Sequence, residues 1–183
     1  MLAIINGLIH LNGIVMAKDK VDKTNAMRAL DQLKLEYEAL SYPCAGDEVL
    51  GGVEVAGLIG ESASVVFKTL VTHSDNKDFV VAVIPSDEYL SLKKLAKISG
   101  HKKIEMIPVA KIESLTGYIR GGCSPIKMKK TFPTFISDKA KDLPYIIISA
   151  GKRGAQIKIA PENLQKAIRY QFADISDVEE VES

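Results

Sequence analysis

The sequence predicts a mixed α/β domain built on a curved, barrel-like mixed β-sheet surrounded by helices. Three observations predict it. Helical and strand-like patterns interleave along the chain, neighbouring strand-like runs are joined by short turns of the hairpin kind, and no internal repeat, low-complexity block or long linker divides the pattern. The hairpins argue against a doubly wound parallel sheet, whose strands need long crossovers. At 183 residues, with 46% apolar and 26% charged residues, the chain is sized and composed for one domain with a core of its own.

The elements follow in order. Thr24 caps a helix whose apolar positions Ala26, Met27, Leu30 and Leu33 recur at helical spacing and which ends near Lys34. Tyr37 to Tyr42 reads as a strand stopped by Pro43, and Gly46, Gly51 and Gly52 mark a loop before a short helix from Val53 to Ile59 that Gly60 closes. Val65 to Thr72 is rich in β-branched residues, and Asp78 to Pro85 returns beside it after the turn at 74–77. Ser86 is the expected cap of the next helix, with Asp87 and Glu88 in its first turn and Gly100 past its end. Ile104 to Ile107 is a short strand, Pro108 opens a helix that Gly117 closes, and Phe132 to Ser137 and Tyr145 to Ser149 are further strands. A glycine-bracketed turn, 150–154, leads into a strand from Ala155 to Ile159, and Pro161 starts a last helix reaching about Tyr170.

At the chain ends, residues 1–16 are apolar but interrupted by Asn6, His10 and Asn12, and no cation precedes them, so they make neither a secretory signal nor a spanning segment of about 20 apolar residues. Met16-Ala17-Lys18 reads as a natural beginning. The expectation is a non-native or poorly ordered extension over 1–16, a single domain over 17–176 and an acidic tail over 177–183; an extra strand or helix packed on the domain is the other reading of the first segment.

Charge and cysteine usage exclude several classes. The formal net charge is +1, so contact with nucleic acid has to be local, and the lysines and arginines between 120 and 153 are the candidates. Cys44 and Cys123 have no metal spacing and suit a reducing cytoplasm, while His10, His73 and His101 stand singly, so no metal site and no cofactor are expected. No membrane association is expected either.

Two places carry chemistry. Lys68 alternates onto the face of Val66 and Leu70, where an ammonium is costly unless it reaches water or an anion; a snorkelling edge lysine and a ligand-binding one are both consistent with this. In Gly117-Tyr118-Ile119-Arg120-Gly121-Gly122-Cys123-Ser124-Pro125, paired glycines free the backbone to turn its amides toward a ligand, and Lys127, Lys129 and Lys130 follow. An ordinary turn and an anion site are the two readings of that stretch.

Read in order, Phe67-Lys68-Thr69-Leu70-Val71, Leu92-Lys93-Lys94-Leu95-Ala96, the glycine-proline stretch and Gly151-Lys152-Arg153-Gly154 with Ala160-Pro161 resemble the YbaK/EbsC family of aminoacyl-tRNA deacylases, related to the editing domain of prolyl-tRNA synthetase. The resemblance runs from about Asn25 to Ile175. It implies a barrel-like mixed sheet with helices around it and deacylation of Cys-tRNA(Pro) in the cytoplasm, with aminoacyl-tRNA as substrate and prolyl-tRNA synthetase as partner. It places the family's functional lysine on Lys68 and the glycine of its GxxxP motif on Gly121, with Pro125 closing that motif, and puts Tyr42 and Gln156 in the substrate site, although some relatives carry an acid at the position of Gln156. Cys123 falls on a variable position of the motif.

On that reading Gly121 and Gly122 offer amides to the oxyanion, Ser124, Lys152 and Arg153 contribute to substrate binding, and Lys68 holds the terminal phosphate or ribose. No histidine falls in a motif, so no protein base or nucleophile is expected; the substrate's own thiol attacks its ester. Alternatives from the same sequence are an Ala-tRNA(Pro) deacylase and a tRNA- or synthetase-associated module without turnover.

Overall fold

The computed structural model describes residues 22–178 and, ahead of them, only the backbone of three short strands, β1 (Ile4–Ile5), β2 (Leu8–Leu11) and β3 (Ile14–Met16), which pair with one another as a sheet of their own. The expectations for 1–16 as an extension and for 179–183 as a tail otherwise lie outside the described residues.

Helix α1 (Asn25–Gln32) starts where Thr24 Oγ accepts a hydrogen bond from the Met27 amide at 3.2 Å, and it buries Ala26, Met27 and Leu30. Leu33, expected inside, is 52% exposed because the helix has already ended at Gln32. After β4 (Glu38–Ser41), α2 (Gly52–Ile59) opens on Gly51, whose amide donates to Glu54 Oε2 at 2.8 Å, and closes on Gly60 in the left-handed conformation.

Strands β5 (Phe67–Ser74) and β6 (Phe79–Pro85) form an antiparallel hairpin in register from Phe67 opposite Pro85 to His73 opposite Phe79. The continuous apolar run of β6 is explained by burial on both faces: Val81 and Val83 enter the main core, while Val80, Ala82 and Ile84 pack against a second cluster with Leu95.

The helix expected to start at Ser86 starts five residues later. The Ser86 amide still belongs to the sheet, donating to Val66 O at 2.8 Å, and Tyr89–Leu90 form β7 before Ser91 caps α3 (Leu92–Ser99). β8 (Ile104–Met106) precedes a 3₁₀ turn and α4 (Ile112–Thr116), which ends at Gly117 with φ +80°. β9 (Thr134–Ser137), β10 (Ile146–Ser149) and β11 (Ala155–Ile159) come next. Helix α5 (Pro161–Ala167) stops short of Tyr170 because Ile168 is extended, φ −137° and ψ 151°, and Tyr170 turns back to donate to Pro161 O at 2.7 Å. β12 (Gln171–Ala173) and β13 (Ser176–Asp177) finish the fold. Asp177, assigned to the tail by sequence, pairs through its backbone with Tyr89 and accepts from Lys94 Nζ at 2.6 Å.

The fold is mixed α/β, with a five-stranded sheet in the order β12-β9-β6-β5-β8 and an antiparallel three-stranded sheet, β10-β11-β4. In the larger sheet β12 to β9 and β9 to β6 are parallel, and the rest antiparallel. Barrel-like closure does not occur among the described residues. The two sheets meet through one isolated bridge, Val66 to Ile147, so the ladder stops there and the gap beside it is lined by side chains. The main core, with Met27 and Leu30 of α1, Val83 of β6, Ile136 of β9, Ile148 of β10 and Ile157 of β11, fills the space between the sheets.

Candidate active site

Beside the bridge where the two ladders fail to join is a cavity of about 460 Å³. Four sequence-predicted residues line it from four parts of the chain: Tyr42 just past β4, Lys68 on β5, Gly121 in the loop after α4, and Gln156 on β11. Among the described residues no three His, Cys, Asp or Glu side chains converge as metal ligands.

Lys68 is half-buried, and its ammonium donates to the Ser86 carbonyl at 3.2 Å. Desolvation pushes its pKa below the ordinary lysine value, opposed by the nearby carboxylates of Asp87 and Glu88. Glu88 is buried and tied down by Lys139 and by Ser176 Oγ, which donates to its Oε2 at 2.6 Å. The corner 86–88 that carries the partner carbonyl is therefore fixed from behind.

Two hydroxyls in the cavity wall, Thr69 Oγ1 and Ser86 Oγ, are buried with no hydrogen-bond partner among the described residues. Such groups are costly unless a ligand or water completes them. The N-terminus of α2 also reaches the cavity at Gly51 and Gly52. A Cβ on Gly52 would lie 2.2 Å from Ser86 Oγ, so this approach requires glycine. Sequence reading missed Thr69, Ser86 and Gly52; Thr69 sat inside the FKTL motif, but Ser86 looked like a helix cap and Gly52 like a loop glycine.

The glycine pair divides its labour. Gly121 has φ +84°, and a Cβ there would meet Val49 Cγ1 at 3.1 Å. Its amide has no acceptor among the described residues, whereas the Gly122 amide, expected to face an oxyanion, donates to Ile119 O at 3.0 Å within the turn. Gly122 instead admits the 151–154 turn: a Cβ would fall 3.0 Å from Lys152 Cα. Arg153 Nε clamps the contact by donating to Arg120 O at 3.0 Å.

Lys152 and Arg153 thus brace the wall with their backbone and guanidinium and do not line the cavity. Ser124 is fully buried, its Oγ accepting from the Ile126 amide at 3.2 Å, which removes it from substrate contact. Pro125 faces a second cavity on the other side of the loop. Cys123 reaches the first cavity, but burial raises its thiol pKa to about 11, so it is not a thiolate nucleophile at neutral pH.

Residues 49–167 match the model of the aminoacyl-tRNA editing domain. The chain is 48% identical over 165 residues to EbsC of Enterococcus faecalis, named as a candidate Cys-tRNA(Pro)/Cys-tRNA(Cys) deacylase, covering 90% of this chain and 100% of that protein. Among solved structures, a candidate trans-editing enzyme for prolyl-tRNA synthetase superposes with TM-score 0.71 at 17% identity, covering 84% of this chain and 98% of the other. A hypothetical protein superposes with TM-score 0.73 at 21% identity, covering 82% and 97%. At those identities the two structures speak for the fold, while the family model and EbsC speak for descent: the chain belongs to the aminoacyl-tRNA editing family of EbsC-type deacylases.

Proposed function

We propose that the protein removes the amino acid from mischarged tRNA in trans, acting first on Cys-tRNA(Pro), in the cytoplasm and beside prolyl-tRNA synthetase. The observation that carries this reading is the convergence of a half-buried ammonium, a free amide at a positive-φ glycine and two unpartnered hydroxyls on one cavity. Among the described residues that line it there is no His, Asp or Glu to activate the Thr69 or Ser86 hydroxyl, and burial holds the Cys123 thiol protonated.

The chemistry follows from what is there. Lys68 binds the phosphate or ribose of the terminal nucleoside and sets the ester against the wall at Gly121. The cysteinyl thiol adds to the ester carbonyl. A carbon–sulfur bond forms, the carbon–oxygen bond to ribose breaks, and the thiol proton passes to the departing ribose oxygen, leaving a thiolactone that water opens to cysteine. The Gly121 amide donates to the carbonyl oxygen as it gains charge, a contribution of roughly 3 kcal/mol for one preorganised donor. The thiol and ester are already joined within the cysteinyl group, so the site's further contribution is to fix the side-chain rotamer that sets the sulfur against its own carbonyl.

The test is the loss of the ester from Cys-tRNA(Pro) and Ala-tRNA(Pro) with purified protein. Cysteinyl ester cleavage with alanyl ester spared supports substrate-thiol assistance. Equal cleavage of both removes that assistance from the mechanism, and binding without cleavage of either removes the enzyme reading. Lys68→Ala is expected to lower turnover on Cys-tRNA(Pro) by about 100-fold or more, since loss of a charged positioning contact costs several kcal/mol; unchanged turnover returns Lys68 to a snorkelling role.

A further inference from the structure

Tyr89 lies outside every role described so far. It is 47% exposed on β7, a two-residue strand, and Lys68 Nζ stands 5.8 Å from the centroid of its ring. No other aromatic ring stacks on it among the described residues, and it belongs to none of the buried apolar clusters. Exposure alone is ordinary for a single ring, so its position beside Lys68 and its anchored backbone are what mark it out. The residue before it, Glu88, is buried and held by Lys139 and Ser176 Oγ. Its own backbone is paired with Asp177, which Lys94 Nζ holds at 2.6 Å. The ring is thus mounted on a fixed support, next to the cation of the cavity, with surface open to solvent.

An aromatic ring carried on an anchored backbone beside a cation fits a planar base attached to an anionic sugar-phosphate: the base stacks while the cation takes the charge. We propose that Tyr89 is the stacking platform for the terminal adenine of the tRNA, placing that base at the mouth of the cavity while Lys68 takes the adjoining ribose or phosphate. The assignment rests on the deacylase reading for its ligand. It adds to it a residue that recognises the nucleoside, separate from those that act on the ester.

The experiment is a binding cycle, which needs no turnover. Two uncharged acceptor-stem minihelices of a proline tRNA are used, one ending in adenosine and one with an abasic ribose at the same position, and their Kd values are measured with wild type, Tyr89→Phe and Tyr89→Leu. Wild type and Tyr89→Phe are expected to prefer the adenosine-ended minihelix by about five- to tenfold, the lower part of the range for base–aromatic stacking. Tyr89→Leu keeps an apolar side chain of moderate size at an exposed position and is expected to bind both minihelices within about twofold of each other.

A wild type that binds the two equally, or binds neither, overturns the assignment, as does Tyr89→Leu that still discriminates. Failure of the deacylase reading shows separately, as an intact ester in the turnover assay with the binding preference preserved. In that assay Tyr89→Leu is expected to raise KM for Cys-tRNA(Pro) by about five- to tenfold with kcat within about twofold, because stacking holds the ground state and the transition state alike.

Discussion

At the scale of single residues, Lys68 shows how a sequence can name a side chain while hiding what it costs. Alternation along β5 is enough to say that its ammonium has to find water or an anion, but the Ser86 carbonyl and the carboxylates of Asp87 and Glu88 come from a corner eighteen to twenty positions on. Burial favours the neutral amine, so the folded-state pKa lies below the unfolded one. The sign follows: the cost of burying the charged amine is fully present below the folded pKa and fades as pH rises from the folded towards the unfolded pKa. The ammonium that the proposed mechanism uses to bind substrate is lost as pH rises through the folded value. Asp87 is exposed and is the larger of the two electrostatic supports. Replacing it by Asn removes a charge that favours the ammonium and is therefore expected to move the alkaline limb of kcat/KM to lower pH, by a small amount because an exposed charge acts weakly. The measurement is a pH–rate profile of wild type and Asp87→Asn. A limb that stays in place means the charge on Lys68 is not what the reaction uses.

At the scale of elements, helix and strand boundaries were legible wherever a cap or a breaker states them locally. Thr24, Gly60, Gly100, Gly117 and Pro161 all act at the ends the sequence assigns. The misreading at Ser86 has a physical cause: the residue has a cap's side chain, but its amide is claimed by Val66 across the sheet, and β7 needs a partner, β13, from the far end of the chain. The same distance hides why Gly52 is glycine. Its missing Cβ lets the start of α2 approach Ser86, and an alanine would stand 2.2 Å from Ser86 Oγ and 2.7 Å from Ser86 Cβ. Gly52→Ala is expected to cost about 1–3 kcal/mol of stability, the usual range for overpacking. Adding Ser86→Gly removes both clashing atoms and is expected to recover much of the loss in Tm relative to Gly52→Ala, although the glycine adds its own entropic cost. Thermal unfolding of wild type, both single variants and the pair gives the answer. Strictly additive losses show that the two residues do not meet as described.

At the scale of the whole molecule, the mixed α/β class was legible because it depends only on the order and type of elements, whereas barrel-like closure was not, since it depends on whether two ladders join, and they meet at one bridge, Val66 to Ile147. The candidate site follows the same division. Tyr42, Lys68, Gly121 and Gln156 could be named from motifs, but their shared cavity exists only once β4, β5, β11 and the loop after α4 are brought together. The size of that cavity bears on specificity. At about 460 Å³ it lies in the range of small-ligand sites, room for an aminoacyl group and part of one nucleoside, and every tRNA offers the same terminal nucleoside. A net charge of +1 provides no global attraction that would read the tRNA body. The protein alone is therefore expected to deacylate Cys-tRNA(Pro) and Cys-tRNA(Cys) with kcat/KM values within about threefold of each other, since discrimination requires contacts that differ between them. Prolyl-tRNA synthetase binds the body of its own tRNA, and its addition is expected to widen that ratio in favour of Cys-tRNA(Pro) by raising the local concentration of that substrate. The check is single-substrate turnover on each tRNA with and without the synthetase. Strong preference for one tRNA in its absence places the recognition of the tRNA body on this domain's own surface, and the basic loop beyond Pro125, with Lys127, Lys129 and Lys130, becomes the first place to look for it.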